Sequence, residues 1–279
     1  MARCVVPEAD NILDKEYKVL DKGFVRLVDY LGCDERIVQA ARVSYGAGTK
    51  SYREDRGLID YLLRNGHTSP FEQVVLTFHV KMPIFVARQW VRHRTGRLNE
   101  ISGRYSVMEE EFYVPEEEHL RLQSRDNKQA RSEEQLDSKS QEEVRSLIEG
   151  QQHDIYGGYE SLLKLGLARE VSRINLPLSL YTQWYWQMDL HNLFHFLRLR
   201  MHPHAQLEIR KYAEQIWELV KIVTPMAAES FENHVLGGES FSAKELEELR
   251  KMSRGESCSL SGKARTRFFD KLGLEDDSH

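Results

Sequence analysis

The chain has 279 residues, of which 41% are hydrophobic and 30% charged, with a formal net charge of −5. That length supports one substantial core, the composition is that of a soluble globular protein, and the acidic balance argues against a general nucleic-acid binder, whose affinity rests on many phosphate contacts. Cys4, Cys33 and Cys258 show neither metal-ligand spacing nor a disulfide framework, which predicts free thiols in a reducing cytosol. No apolar run is long enough to cross a bilayer, since residues 74–86 are broken by His79, Lys81 and Pro83. With no signal-peptide core at the N-terminus either, the expectation is a cytoplasmic protein without a membrane partner.

In chain order, the turn Asp21-Lys22-Gly23 leads into the alternating run 24–29, a predicted strand. Helical spacing follows at Ile37, Val38 and Ala41, then at Leu58, Tyr61 and Leu62, closing at Asn65-Gly66. Ser69, Pro70 and Glu72 read as N-cap, N1 and N3 of a capping box. Leu76, Phe78, Val80 and Met82 alternate with Thr77, His79 and Lys81, a second strand that feeds a helix running from Pro83 to a cap at Gly96. Arg92, His93 and Arg94 fall in its last turn, and residues 98–105 read as an ordered loop.

Residues 116–149 are rich in Gln, Ser and charge, and read as a polar surface insertion, partly helical at best. A helix follows around Tyr156, Tyr159, Leu162 and Leu163, then a strand over 181–186, helices over 190–201 and 205–223, and one more near 244–252. Strands and helices mix without βαβ alternation, and no Gly-rich dinucleotide loop follows a strand. The expectation is an α+β fold, a central antiparallel sheet flanked by helices in a single domain over 1–236, with a charged C-terminal extension over 237–279.

The densest chemistry lies between Arg92 and Tyr105, where four arginines surround His93, Asn99, Glu100 and Ser102. Guanidinium groups match phosphate and carboxylate oxygens in pairs, and four together repel unless an anion sits among them. Ser102-Gly103 lets a phosphate approach the backbone closely. A solvated basic face at a helix end is the structural alternative. His191 and His195, one turn apart with His202 and His204 near, could instead hold a metal, but neither an H-E-x-x-H motif nor a cysteine completes such a set, and no metal is expected.

The segment Arg92-His93-Arg94-Thr95-Gly96-Arg97-Leu98-Asn99-Glu100-Ile101-Ser102-Gly103-Arg104-Tyr105 resembles the signature R-H-R-x-x-S-x-N-E-x-S-x-R-Y of the flavin-dependent thymidylate synthases. Arg97 stands where that signature has its first serine. His67-Thr68-Ser69-Pro70-Phe71-Glu72 is similar to the family's H-x-T/S-P-F-E segment. Arg173-Ile174-Asn175-Leu176-Pro177, Asp189 to His195, and Leu199-Arg200-Met201-His202-Pro203-His204-Ala205-Gln206 are similar to its C-terminal half.

The resemblance implies methylation of deoxyuridine monophosphate (dUMP), with FAD as cofactor, methylenetetrahydrofolate and NADPH as co-substrates, and a homotetramer with sites between subunits. It assigns Gln89, Ser102, Arg104 and Arg173 to the nucleotide phosphate, within a substrate set that also takes in Trp90, Val91, Arg92, Glu100, Ile101, Gly103 and Tyr105. Arg200 faces the uracil ring and is the one catalytic assignment. Flavin falls to His67, Ser69, Glu72, Arg92, His93, Arg94, Asn99, Glu100, Asp189, Leu190, His191, His195 and His204, although other members carry Asn or Arg where Asp189, His191 and His195 stand. Two rival classes use the same residues: a flavin- or nucleotide-binding regulator without turnover, and an RNA-binding module built on the arginine cluster.

Overall fold

A computed structural model describes residues 4–43, 52–125 and 131–275. The fold is α+β around an antiparallel sheet, as expected. Its strands are β1 (Glu16–Val19), β2 (Gly23–Leu31), β3 (Val75–Pro83), β4 (Arg97–Glu100) and β7 (Tyr181–Asp189), in the order β1-β2-β3-β7-β4. Every pairing is antiparallel, with Phe78 opposite Trp186 and Arg97 opposite Gln187. The alternation read in β3 holds: Leu76, Phe78, Val80 and Met82 are fully buried while the residues between them are only partly so.

The buried face is covered by α7 (Leu190–Arg200) and α8 (Leu207–Val223). At its centre Trp90 meets Trp184, Trp186, Phe196 and Tyr212 with ring centroids 4.9–5.9 Å apart. Trp90 ends α4 (Ile84–Trp90), which follows β3 without a linker. This contact fixes where the arginine-rich turn leaves the core, and Trp90→Ala would cost roughly 3–5 kcal/mol. Beside it, α2 (Asp34–Arg42) sets the buried Asp34 carboxylate against the start of α9 (Pro225–Phe231), accepting from Met226 N at 2.8 Å and Ala227 N at 3.0 Å. Negative charge is favoured there because the first N–H groups of a helix lack partners.

Several expectations need correction. α4 stops at Trp90, so Arg92, His93 and Arg94 lie in a turn beyond it, and Pro83 is the residue before the helix rather than its first turn. Gly96 is no helix cap. A Cβ there would sit 2.3 Å from Trp186 Nε1, so glycine is needed for the turn to close onto the sheet. Residues 97–100 form an edge strand, not a loop, because β7 offers them its free side. Ser69 caps nothing: only a short 3₁₀ turn, Phe71–Gln73, forms, and Thr68 bonds Glu72 instead at 3.2 Å.

The polar stretch is more ordered than its composition suggests. Its described part holds β5 (Arg121–Gln123) paired with β6 (Arg131–Gln135), then α5 (Ser138–Lys164), whose first turns had read as irregular. Residues 126–130, also in that stretch, lie outside the described residues. Asp137 caps α5 by accepting from Ser140 N at 3.0 Å, a local device that needs no apolar stripe. Cys4 and Cys33 are joined by a disulfide with Cα atoms 6.5 Å apart, against the expectation of free thiols. The reducing compartment read from those thiols loses its footing, because spacing in sequence cannot reveal that the fold brings the N-terminal segment to the start of α2. Among the described residues no helix is long and apolar enough to cross a membrane.

Residues 1–230 form one compact unit and 231–279 a second. The smaller unit contains α10 (Ala243–Ser253), opened by a capping box between Ser242 and Glu245, and α11 (Gly262–Leu272), which the sequence reading missed. Phe268 and Phe269 are buried there.

Candidate active site

Arg200 is the last residue of α7 and half-buried. Its Nε donates to His93 Nε2 at 3.0 Å and its Nη2 to the Gln89 carbonyl at 3.1 Å. Both partners are neutral acceptors. Burial, then the charges of Arg200 and His195, lower the His93 pKa to about 4, so at neutral pH the ring accepts through Nε2 and carries its proton on Nδ1. Burial and the neighbouring Arg92 also hold the Arg200 pKa below the ordinary arginine value. Arg200 Nη1 has no partner among the described residues.

Around this pair the turn and α7 bring the proposed flavin residues together. His93 and His195 lie edge to face with centroids 6.0 Å apart, and the pKa of His195 is lowered by burial and then by Arg198 and His191. Arg92 and Arg94 are exposed, with no ion pair among the described residues. The segment 67–72 joins the same neighbourhood through Phe71, whose ring packs on Phe194 of α7 at 6.4 Å, while His67 lies against Tyr61 at 5.8 Å. Asp189 caps α7 by accepting from Asn192 N at 3.0 Å, and Leu190 is buried. Both therefore have structural work. His204 stands apart, exposed and edge to face with His202, in a cleft shared with His119, Arg121 and Arg210.

Beyond β4 lies a second group. Ile101 N donates to Gln183 O at 2.9 Å, and Glu100 accepts from Thr182 Oγ1 at 2.6 Å. The Ser102 carbonyl accepts from Tyr105 N at 3.0 Å and Ser106 N at 3.1 Å, closing a tight turn. Gly103 is buried, and a Cβ there would sit 3.0 Å from Arg173 Cδ, so its lack of a side chain lets Arg173 cross the loop. Arg104 Nε is paired with Glu170 at 3.1 Å, a partner the sequence reading missed, and Arg169 Nη1 ties down the Tyr105 carbonyl at 2.6 Å. Nothing in a lone R-E pair at 169–170 marks it; only the fold brings it to the loop.

The donors fit the groups that the resemblance implies. Arg92 and Arg94 offer guanidinium groups that pair with no carboxylate among the described residues, and the Ser102–Gly103–Arg104 turn has Arg173 across it, so hydroxyl and guanidinium donors meet there. Comparison with known proteins agrees. Residues 26–226 match the family model described as thymidylate synthase complementing protein, and residues 239–275 match the thymidylate synthase ThyX C-terminal domain. The chain belongs to the flavin-dependent thymidylate synthase family.

It is 64% identical over 260 residues to the flavin-dependent thymidylate synthase of Treponema denticola, covering 93% of this chain and 98% of that one. It is 60% identical over 232 residues to the enzyme of the same name from Thermus thermophilus, covering 83% and 84%. Among solved structures it resembles a UMP/dUMP methylase, PolB from Streptomyces cacaoi bound with 5-Br UMP, at TM-score 0.70 and 34% identity, covering 78% of this chain and 97% of that one. Family membership speaks against the RNA-binding module, one of the two rival readings.

Proposed function

We propose that this chain catalyses the reductive methylation of dUMP to thymidine monophosphate, taking the carbon from methylenetetrahydrofolate and reducing equivalents from NADPH through FAD. The observation that carries this reading is Arg200, a half-buried guanidinium held, among the described residues, by two neutral acceptors beside the charge of Arg92. Uracil carbon 5 is a weak nucleophile unless negative charge can develop on the N3/O4 side of the ring. A fixed guanidinium there meets that charge where it forms.

Arg173 and Arg104, with Ser102, bind the phosphate, so the unreactive end of the nucleotide orients the reacting end, whereas Gln89, assigned to the phosphate by the resemblance, turns its NH₂ to Gln206 and offers the nucleotide only a carbonyl acceptor. Arg92, His93, Arg94, Ser69, Glu100 and His195 would hold the flavin, which would supply the hydride when bound. Ser102 stays a phosphate ligand: its Oγ accepts from Arg104 N at 3.3 Å and, among the described residues, no base is hydrogen-bonded to it. Leu98, Ile101, Tyr105, Ile174 and Leu178 are all exposed around the phosphate loop, which supports a site completed by another copy of the chain in a homotetramer.

The test is to purify the protein, record its flavin spectrum, reduce it with NADPH, and add dUMP with methylenetetrahydrofolate. The expected result is flavin reoxidation without oxygen and formation of thymidine monophosphate. A flavin-loaded protein that binds dUMP but makes no product would instead be a regulator, and a colourless one would overturn the flavin reading.

A further inference from the structure

Hydrogen bonds run from Arg200 to a carboxylate that the mechanism above does not use. Arg200 Nη2 donates to the Gln89 carbonyl at 3.1 Å, Gln89 Nε2 donates to Gln206 Oε1, and Gln206 Nε2 donates to Glu208 Oε2 at 2.8 Å. Glu208, in the first turn of α8, is 1% exposed. Its other oxygen accepts from the Tyr113 hydroxyl at 3.1 Å and from Arg131 Nη2. Arg131 comes from β6, inside the polar stretch that family resemblance left without a role.

The direction of these bonds is forced by the carboxylate. An ionised carboxylate can only accept, so Gln206 must turn its NH₂ toward Glu208 and its carbonyl toward Gln89. Gln89 must then answer with NH₂, which leaves Gln89 Oε1 as a free acceptor. Without the charge either amide could turn over, since its two ends are nearly alike in shape. Burial pushes the Glu208 pKa up, but the hydrogen bond and charge of Arg131 and the bond from Gln206 outweigh it and keep it below the usual carboxylate range.

We infer that Glu208, neutralised by Arg131 of the polar stretch, is a positioning residue that acts through Gln206 to hold the Gln89 amide with its carbonyl presented to a hydrogen-bond donor of the nucleotide, a ring N–H or sugar hydroxyl, and not to its phosphate. The inference rests on the proposed nucleotide site. It gives β6 a part in substrate binding without any contact to substrate, and it makes the motif residue Gln206 and the buried Glu208 one device rather than two.

The deciding variant is Gln206→Leu in the full-length, flavin-loaded protein, because Gln206 is exposed and Glu208 keeps Arg131 and Tyr113. dUMP affinity is measured by titration alongside flavin content. The expected loss is about fivefold to tenfold, the worth of one neutral hydrogen bond, with flavin content unchanged. In a Gln89→Ala background the same substitution should cost nothing further. Glu208→Gln should reproduce the loss, and Gln206→Leu decides even where that variant fails to fold. Parent-like dUMP affinity in Gln206→Leu, or an equal loss with and without Gln89, overturns the inference while leaving the nucleotide site standing. A parent protein that does not bind dUMP overturns both.

Discussion

The two arginine settings on either side of β4 differ in what they are paired with. Arg200 is half-buried, and its partners, His93 and the Gln89 carbonyl, carry no charge. Arg104 has a side chain 57% exposed and is paired with Glu170, itself 54% exposed. A guanidinium held out of water by neutral acceptors keeps its field for whatever charge arrives, and that field is strongest when the charge forms only in the transition state. An exposed ion pair is screened by solvent and contributes little either way. The inner arginine is therefore suited to rate and the outer one to grip.

The largest effect should come from Arg200→Ala. Loss of such a donor typically costs on the order of a hundredfold or more in rate, so turnover at saturating dUMP should collapse while flavin stays bound. Near-normal kcat would break the comparison at its root. On the outer side, Arg173→Ala and Arg104→Ala should raise the KM for dUMP and leave kcat nearly intact, because phosphate contacts are made equally in ground and transition states. Arg173 should matter more, on the order of tenfold or above, since it crosses the loop over Gly103 while Arg104 must first leave Glu170. Deoxyuridine, which lacks the phosphate, should bind parent and variants alike; equal losses for nucleoside and nucleotide would show that these arginines do not read phosphate.

This inner and outer division was only half visible in the sequence. The strand over 75–83 was legible because Leu76 to Met82 alternate, and α2 because Ile37, Val38 and Ala41 fall at helical spacing. The arginine cluster was legible because so many guanidinium groups in so few residues are costly without an anion. What stayed hidden depends on tertiary pairing. Residues 97–100 are exposed throughout and have no apolar alternation, so only the vacant edge of β7 makes them a strand. Gly96 looked like a helix cap, whereas its reason is Trp186, ninety residues away in the chain. Asp137 and Asp34 act through backbone N–H groups, and the Cys4–Cys33 bridge through proximity, none of which has a period to detect.

A smaller effect separates two chemistries at the outer loop. If Ser102 only hydrogen-bonds phosphate and its own turn, Ser102→Ala should keep measurable turnover with a raised requirement for nucleotide, since one neutral hydrogen bond is worth roughly 1 kcal/mol. Were it a nucleophile, the variant would lose the covalent step and no nucleotide concentration could restore it. A turnover series against dUMP concentration distinguishes them. A folded, flavin-loaded, saturated and inactive variant would force a covalent mechanism.

The smallest expected effect sharpens the inner side. His93 titrates at about 4 in the folded chain, against 6.5 for an ordinary histidine, because burial and then Arg200 disfavour its charged form. Between those values the unfolded chain binds more protons than the folded one, so this group's contribution to stability is fully present above about pH 6.5 and declines as pH falls toward 4. Asp34 works against it: burial raises its pKa from 3.8 to about 6 despite the bonds from Met226 and Ala227, so its folded form gains on the unfolded one as pH falls through the same window. A melting curve of the parent alone therefore cannot isolate His93. His93→Gln keeps an oxygen acceptor for Arg200 but cannot take a proton, and subtracting its melting temperatures from those of the parent cancels Asp34. The difference should be flat above about pH 7 and turn against the parent as pH drops below 6. A difference that stays constant down to about pH 4 would mean that His93 is not held neutral by its surroundings, and that the Arg200 guanidinium lacks the neutral support on which its catalytic assignment stands.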